Sequence, residues 1–378
     1  MPRYIFAHYN SLTLKYMNKL VWLLCIIVLF FSCTSHDIER DLDTYFSQEF
    51  KADEPGGAVL VMKGEKVIFS KGYGLADLMT KEKITPSTLF NTGSISKTFV
   101  SNTILALAEE GKLSLNDSLY KFFPEFKNTE IAKKIRLYHM LSHTSGLPDN
   151  RRNLLDSVYL LTAKDAENWA PIMKNDSLVF EPGSRYEYSN PAFNGLALII
   201  EKISNRKWQE VVKEKIFTPA GMKTSVITDG PFPEKGVSHA YLKVGGKFIE
   251  KDYGEEPTFA AAGNGGIWSS AEELAQYELA LRKAVFLKKE TIDRSRVVYQ
   301  HPNWKDATPA FIGYSWFIGK TEDGLKVVSH TGTQGGFYCD YVSIPEKELV
   351  YVILCNRPVP REQEREDVLA ILKKYYWK

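Results

Sequence analysis

The sequence predicts a mixed α/β (α+β) fold, in which an antiparallel sheet, flanked by N- and C-terminal helices, carries an inserted all-helical lobe. Alternating apolar residues around short turns mark strands near both ends of the chain, at 58–73 and 326–355. Helical spacing of apolar residues dominates the middle, from Ser94 to about Lys207. The 378 residues, 44% of them hydrophobic, are enough for a large core.

Turn and cap residues set the boundaries of the predicted elements. Strands alternate around Lys63-Gly64-Glu65, and a second hairpin turn is expected at Pro345-Glu346-Lys347-Glu348. Helices are predicted at 37–50, between Ser94 and Gly111, and at 131–141, 194–203 and 361–377. We expect the terminal strands to pair in one sheet, with a site where the helical lobe meets it.

The chain divides into a leader and one large domain. Residues 20–31 are an uncharged apolar run, which suits a signal peptide and is shorter than the ~20 residues of a membrane-spanning helix. We assign 1–32 to a signal peptide, with Met17 as the expected true start. The mature domain, 33–378, is expected to contain a sheet lobe (about 37–93 and 310–378), a helical lobe (about 94–210) and a mixed segment (211–309).

The residues after the apolar run predict where the protein resides. Ser32-Cys33-Thr34-Ser35 resembles the lipobox of bacterial lipoproteins, although Phe30 stands where that motif usually has Leu. The resemblance implies export, with a lipid anchor on Cys33 that holds the protein at the periplasmic or outer face of a membrane. An uncleaved anchor helix is the alternative, and the short apolar run disfavours it.

Charge excludes one class of partner. The chain carries 48 basic and 46 acidic residues, and removal of 1–32 takes away three basic residues and no acidic one, so the net charge changes from +2 to −1. Such a balanced surface offers no electrostatic footprint for nucleic acid.

Two cysteines of the mature domain are available for pairing, Cys339 and Cys355, on either side of the second hairpin turn. An exported protein is allowed a disulfide there. Two buried free thiols are the preferred interpretation.

A serine followed three residues later by a lysine occurs at Ser94/Lys97, Ser118/Lys121 and Ser204/Lys207. The first pair opens a helix directly after Gly93, where residues i and i+3 share a face. The free N–H groups of a helix start disfavour a protonated lysine and stabilise an alkoxide. This context favours a nucleophile with its base, and a plain N-cap serine is the alternative.

Two further short patterns lie downstream. Tyr188-Ser189-Asn190 is the Y-x-N of the mature chain, and His330-Thr331-Gly332 lies at the edge of a predicted strand. Alone, Tyr188 reads equally well as a packed aromatic and Asn190 as a turn former. Neither pattern identifies a site by itself.

In this order the three patterns resemble the serine hydrolases of the class C β-lactamase, D,D-peptidase and related esterase family, which carry S-x-x-K, Y-x-N and then K-T-G or H-x-G. The stretches TPSTLFNTGSISK, HMLSHTSGLP, FEPGSRYEYSN and AAGNGGIWSSAEELAQY also resemble that family. The similarity covers about 56–356 and implies a β-lactamase/transpeptidase-like fold.

The resemblance implies a role for each matched residue. Ser94 is the nucleophile, and Tyr188 exchanges protons with Lys97 and the leaving group, with either Lys97 or an ionised Tyr188 as the base. The implied substrate-binding residues are Asn190 at the acyl-side amide, His330, Thr331, Gly332, and Thr333, whose N–H joins that of Ser94 in an oxyanion hole. We expect an acyl-enzyme, a small-molecule or short-peptide substrate, no cofactor and a monomer.

Other functions fit the sequence less well. His139 and His143 are spaced like zinc ligands, but the glutamate of H-E-x-x-H is missing, and no metal is assigned. The G-x-S-x-G elbow of α/β-hydrolases is absent from the sequence. A receptor that binds peptides or β-lactams without turnover is the alternative to an enzyme. The substrate stays open among D-amino-acid peptides, esters and β-lactams.

His330 stands where many penicillin-recognising relatives have lysine. A histidine with an ordinary pKa near 6.5 gains charge as the pH falls toward 6. We therefore expect kcat/KM for an anionic substrate, divided by that for a neutral ester, to rise between pH 8 and pH 6.

Overall fold

The computed structural model describes residues 37–149, 163–228, 232–250 and 263–377. These residues belong to two compact units, one made of 1–49 with 362–378 and a larger one of 50–361. No helix in the described part is both long and apolar enough to cross a membrane. The predicted signal peptide and Cys33 lie outside the described residues.

The larger unit is built on strands from both of its ends. They are β1 (Gly57–Lys63), β2 (Lys66–Tyr73), β3 (Phe90–Asn91), β4 (Val226–Ile227), β5 (Tyr241–Val244), β6 (Lys247–Glu250), β7 (Ile267–Ser269), β8 (Phe317–Lys320), β9 (Lys326–Gln334), β10 (Phe337–Ile344) and β11 (Leu349–Cys355). An antiparallel sheet has the order β2-β1-β11-β10-β9-β8. The N-terminal and C-terminal hairpins therefore join through β1 and β11, which confirms the predicted fold class.

Both predicted hairpin turns form where their residues allow left-handed backbone. Gly64 has φ +59° between β1 and β2, a conformation that glycine adopts without a steric penalty. A 3₁₀ turn at Pro345–Lys347 and Glu348 at φ +48° join β10 to β11. These turns set the register within each hairpin, β1 with β2 and β10 with β11.

Most of the helices of the larger unit lie between β2 and β8 in the sequence. They are α2 (Ser96–Glu109), α3 (Leu119–Phe122), α4 (Thr129–Lys134), α5 (Leu137–Leu141), α6 (Asp165–Met173), α7 (Asn190–Ser204), α8 (Trp208–Val212), α9 (Thr218–Ala220), α10 (Ala271–Arg282) and α11 (Lys289–Ser295). α7 begins at Asn190, earlier than predicted, because the Ser189 hydroxyl accepts the N–H of Ala192 as an N-cap.

One helix prediction was wrong. The segment 131–141 is two helices, because the backbone is extended at Ile135 and Arg136. The Ile135 carbonyl instead accepts the N–H of Leu119, and the N–H of Leu137 donates to the Asp117 carbonyl. These tertiary bonds outweigh the helical propensity of a short segment.

The smaller unit contains a helix at 37–49, α1, and most of α12 (Arg361–Tyr376). Within it the Asp41 carboxylate accepts hydrogen bonds from Lys374 Nζ and the Tyr375 hydroxyl, each at 2.6 Å. The Tyr45 hydroxyl donates to Asp367 at 3.1 Å. Both terminal helices were predicted from the sequence.

Cys339 and Cys355 are buried thiols that are not joined in a disulfide, which confirms the preferred prediction. In the β10–β11 ladder Cys339 pairs with Leu354, whereas Cys355 pairs with Tyr338. Because paired residues share a face and successive residues alternate, the two thiols point to opposite faces of the sheet.

A buried carboxylate connects α10 to the sheet. Glu278 accepts hydrogen bonds from Arg296 Nη2 at 2.7 Å and Arg282 Nε at 2.9 Å, and from the hydroxyls of Tyr341 and Ser343 on β10. Burial opposes its ionisation, but the two guanidinium groups outweigh burial and lower the pKa of Glu278 to about 2. The ionised carboxylate is thus part of the folded core.

Candidate active site

Ser94 lies in a 3₁₀ turn, Gly93–Ile95, that leads directly into α2. The turn is anchored on both sides to β7, since the N–H of Thr92 donates to the Ile267 carbonyl at 2.9 Å and the N–H of Ile267 donates to Ser96 Oγ at 3.1 Å. Thr92 is the N-cap residue of the 3₁₀ turn, and Ile95 is the N-cap residue of α2. Ser94 is therefore not an N-cap, and its half-buried hydroxyl is free for other partners.

Lys97 meets Ser94 one turn along α2. Its Nζ lies 3.0 Å from Ser94 Oγ and donates to the carbonyl of Asn264 at 2.6 Å. The side chain is fully buried, so Nζ is held in one place rather than moving in solvent. The lysines of the other two pairs bind elsewhere, Lys121 to Asp117 and Lys207 to Glu201.

Tyr188 completes the group around the serine. Lys97 Nζ lies 5.0 Å from the centre of the Tyr188 ring. Burial raises the pKa of the Tyr188 phenol, and a side-chain hydrogen bond with Ser94 offsets only part of that rise. The fold thus brings together Ser94, Lys97 and Tyr188, which are separated by up to 94 residues in the sequence.

Two glycines let β9 approach the serine turn. A Cβ placed on Gly332 would lie 2.0 Å from the Thr92 carbonyl oxygen, and one on Gly93 would lie 2.7 Å from the Thr333 nitrogen. Gly93 also has φ +52°, which favours glycine. This close contact brings the backbone of Thr333 against the turn that carries Ser94, where the resemblance predicts an oxyanion hole.

The remaining predicted residues follow from these elements. Asn190 is the first residue of α7 and is half-buried, two residues after Tyr188. Thr331 and His330 lie on β9, opposite Asp340 and Tyr341 of β10. All the predicted site residues of the mature domain except Cys33 are thus described, and they come from the serine turn, the first turn of α2, the segment that leads into α7, and β9.

The expectation that His330 charges near pH 6 was wrong. Its side chain is fully buried, and Nδ1 lies 2.7 Å from the carbonyl of Thr331. Burial, assisted by the neighbouring Lys97, lowers the pKa of His330 to about 3. The imidazole is therefore neutral between pH 6 and pH 8 and attracts no anion by a charge of its own.

Two further groups beside the predicted site residues were not predicted from the sequence. One is the carbonyl of Asn264, which binds Lys97 and lies in a stretch that resembles the family without a motif of its own. The other is Arg361, the last residue of the larger unit. Arg361 Nη2 donates to the Gly332 carbonyl at 2.7 Å and to Thr333 Oγ1 at 2.9 Å. A permanent positive charge thus borders the strand that approaches Ser94.

His139 and His143 do not act as a ligand pair. His139 Nδ1 accepts the N–H of Arg136 at 3.0 Å, and His143 Nδ1 accepts the N–H of Ser189 at 2.9 Å. α5 ends at Leu141, before His143, so the two rings do not share a helix face.

Comparison with known proteins gives consistent results. Residues 40–375 match the Beta-lactamase family. The chain is 26% identical over 349 residues to penicillin-binding protein 4* of Bacillus subtilis, covering 88% of this chain and 74% of that protein.

Solved structures agree with the fold. The octameric penicillin-binding protein homologue from Pyrococcus abyssi has a TM-score of 0.71 at 27% identity, with 85% of this chain and 73% of that chain covered. The D-amino acid amidase from Ochrobactrum anthropi, solved with L-phenylalanine amide, has a TM-score of 0.74 at 19% identity, with 90% and 99% covered. Because the family match spans most of the sequence and the fold agrees with it, this chain belongs to the beta-lactamase family.

Proposed function

We propose that this protein is an exported serine hydrolase that cleaves an amide or ester through an acyl-enzyme. The observation that carries the proposal is the 3.0 Å approach of Lys97 Nζ to the hydroxyl of Ser94, at a buried position beside Tyr188. This is the geometry that an activated serine nucleophile needs.

The first step forms the acyl-enzyme. Ser94 Oγ attacks the carbonyl carbon of the substrate while its proton passes to Lys97 Nζ. The N–H groups of Ser94 and Thr333 hold the resulting oxyanion. Collapse of this intermediate breaks the bond to the leaving group, which takes a proton from the Tyr188 hydroxyl, and the phenol regains a proton from Lys97.

Tyr188 is assigned as a proton donor rather than as an ionised base. Because burial raises the pKa of its phenol, the neutral form dominates at neutral pH. Of the two bases that the resemblance allows, the structure thus supports Lys97. A water molecule then attacks the acyl carbon, with its proton taken by the same Lys97–Tyr188 pair, and the acid leaves with Ser94 restored.

The proposed substrate is a short peptide or ester whose leaving group carries a carboxylate. The fixed charge of Arg361 beside Gly332 and Thr333 supports this choice. Arg361 is only half-buried, so its side chain remains partly accessible to a ligand. The protein is proposed to act as a monomer without a cofactor.

Replacement of Arg361 by glutamine tests this recognition. The measured quantity is kcat/KM for a peptide ending in D-Ala-D-Ala divided by kcat/KM for the same peptide with a C-terminal amide. R361Q is expected to lower this ratio about 10-fold, since a hydrogen bond to a charged group is lost. The ratio in the wild type is expected to be constant between pH 6 and pH 8, since arginine stays charged and the pKa of His330 is about 3. R357Q is the matched control, because the Arg357 guanidinium lies over Phe50 instead. An equal ratio in wild type and R361Q would rule out anion recognition by Arg361.

A panel of alkyl esters, D-Ala-D-Ala peptides and β-lactams tests the function itself. Hydrolysis is measured together with the intact mass of the protein. Turnover supports the enzyme. A stable mass adduct without turnover identifies the receptor alternative. The absence of both an adduct and turnover would contradict the proposed function.

Export and lipidation are proposed from the apolar run at 20–31 and the lipobox-like Ser32-Cys33. The mature protein is expected to fractionate with membranes, and C33S is expected to release it, because the thioether-linked lipid supplies the anchor. N-terminal mass spectrometry checks the cleavage. A membrane-bound wild type that retains residues 21–31 would instead identify the uncleaved anchor.

A further inference from the structure

His143 belongs to no part of the mechanism above, yet it contacts the Tyr188 segment through both its backbone and its ring. It follows the end of α5 with φ +55°, a left-handed conformation that non-glycine residues seldom adopt. Its side chain is fully buried. Such a conformation persists only where the surrounding contacts require it.

Three contacts join His143 to residues 187–189. Its backbone carbonyl accepts the N–H of Glu187 at 3.0 Å, and its Nδ1 accepts the N–H of Ser189 at 2.9 Å. Its ring stacks on that of Tyr188, with centroids 4.4 Å apart and an angle of 20° between the planes. The residues before and after Tyr188 and the face of its ring are therefore all held by one histidine.

We propose that His143 is the positioning residue that holds the Tyr188 hydroxyl in line with Ser94 and Lys97. The proposal rests on the proposed function, in which that hydroxyl delivers the proton to the leaving group. A proton donor must be held within hydrogen-bond reach, and a misplacement of 1 Å can reduce the rate about 10²-fold.

The hydrogen bonds define the form of the ring. Because Nδ1 accepts the Ser189 N–H, it carries no proton, and the proton of the neutral imidazole is on Nε2. Nε2 has no hydrogen-bond partner among the described residues. Burial and the neighbouring groups Lys97 and His330 lower the pKa of His143 far below its usual range. The contacts with the Tyr188 segment therefore persist across the working pH range.

His139 provides a matched control one turn earlier. It is also buried, its Nδ1 also accepts a backbone N–H, from Arg136, and burial lowers its pKa to about 3. Its ring packs against Tyr138 and His301 rather than Tyr188. H139N and H143N thus remove chemically equivalent groups, and only the second removes the stack on Tyr188.

The test compares two esters of the same acid, an alkyl ester and a p-nitrophenyl ester. The alkoxide must be protonated to leave, whereas p-nitrophenolate leaves without a proton. H143N is expected to lower kcat/KM for the alkyl ester about 10²-fold and kcat/KM for the p-nitrophenyl ester much less, because kcat/KM reports acylation and not the deacylation step that the two esters share. Asparagine tolerates left-handed backbone, so the turn is retained. H139N is expected to leave the ratio of the two rates unchanged.

Equal rate ratios in H143N and H139N would overturn the proposal. The substrate panel above judges the proposed function separately. If the wild type hydrolyses neither ester, crystal structures of the two variants decide the inference. A Tyr188 ring displaced in H143N and unmoved in H139N supports it, whereas an unmoved ring in both overturns it. In the wild type, ¹⁵N NMR must show an unprotonated Nδ1 on His143 from pH 5 to pH 9. A protonated Nδ1 would contradict the bond to Ser189 and the proposal with it.

Discussion

Replacement of Ser94 by alanine is expected to abolish hydrolysis and covalent labelling by a serine-reactive phosphonate. Loss of a nucleophilic serine costs on the order of 10⁴- to 10⁶-fold in kcat in enzymes of this mechanistic type. The fold is expected to remain, because the Ser94 hydroxyl is half-buried and caps no helix. Its contacts are with Lys97 and Tyr188. Thermal unfolding of the variant checks that expectation.

Ser118→Ala is the control for this substitution. Ser118 also precedes a lysine by three residues, but Lys121 pairs with Asp117 on the surface, and the Ser118 side chain makes no cap hydrogen bond. This variant should keep wild-type turnover and labelling. Phosphonate labelling that persists in S94A, mapped by mass spectrometry to another serine, would remove Ser94 from the mechanism.

Replacement of Glu278 by glutamine is expected to lower the free energy of unfolding by about 3–5 kcal/mol, since a buried guanidinium group, Arg296, loses its compensating charge. The amide also presents donors where the Tyr341 and Ser343 hydroxyls now donate. That loss is a large part of the ~5–15 kcal/mol stability of a typical protein. E210Q is the control, because Glu210 pairs with Arg206 on the surface, where such pairs contribute ~0–1 kcal/mol.

The effect of E278Q should depend on pH in a defined direction. The pKa of Glu278 is about 2 in the folded protein, below the value of ~4.3 for an unperturbed glutamate. The unfolded chain therefore binds the proton first, so the stabilisation is complete above about pH 4.3 and is lost as the pH falls toward 2. Urea unfolding of the wild type and E278Q at pH 7 and pH 3 measures this difference in the free energy of unfolding. Equal destabilisation by E278Q and E210Q, or a difference that grows at pH 3, would contradict the prediction.

Local sequence patterns predicted most of the secondary structure. Gly64 and the Pro345–Glu348 turn specify hairpins through residues that accept tight turns, and apolar spacing after Ser94 specifies α2. The break at Ile135 and Arg136 was missed because its cause is a set of bonds to Leu119 and Asp117, which no local pattern encodes. The joining of β1 to β11 was an inference about topology, which the observed register confirms.

For the candidate site, the sequence by itself determined which side chains could do the chemistry, because Ser94, Lys97 and Tyr188 occur in short patterns whose order resembles one family. Only the tertiary structure decided their environment. Burial, a property of the packed chain, makes His330 neutral and gives Tyr188 a raised pKa. The Asn264 carbonyl, Arg361 and His143 reach the site across 29 to 167 residues of sequence, through a backbone atom, a guanidinium group and a stacked ring. Their roles depend on distances of about 3 Å that exist only once the chain has folded, so no spacing of letters could have identified them.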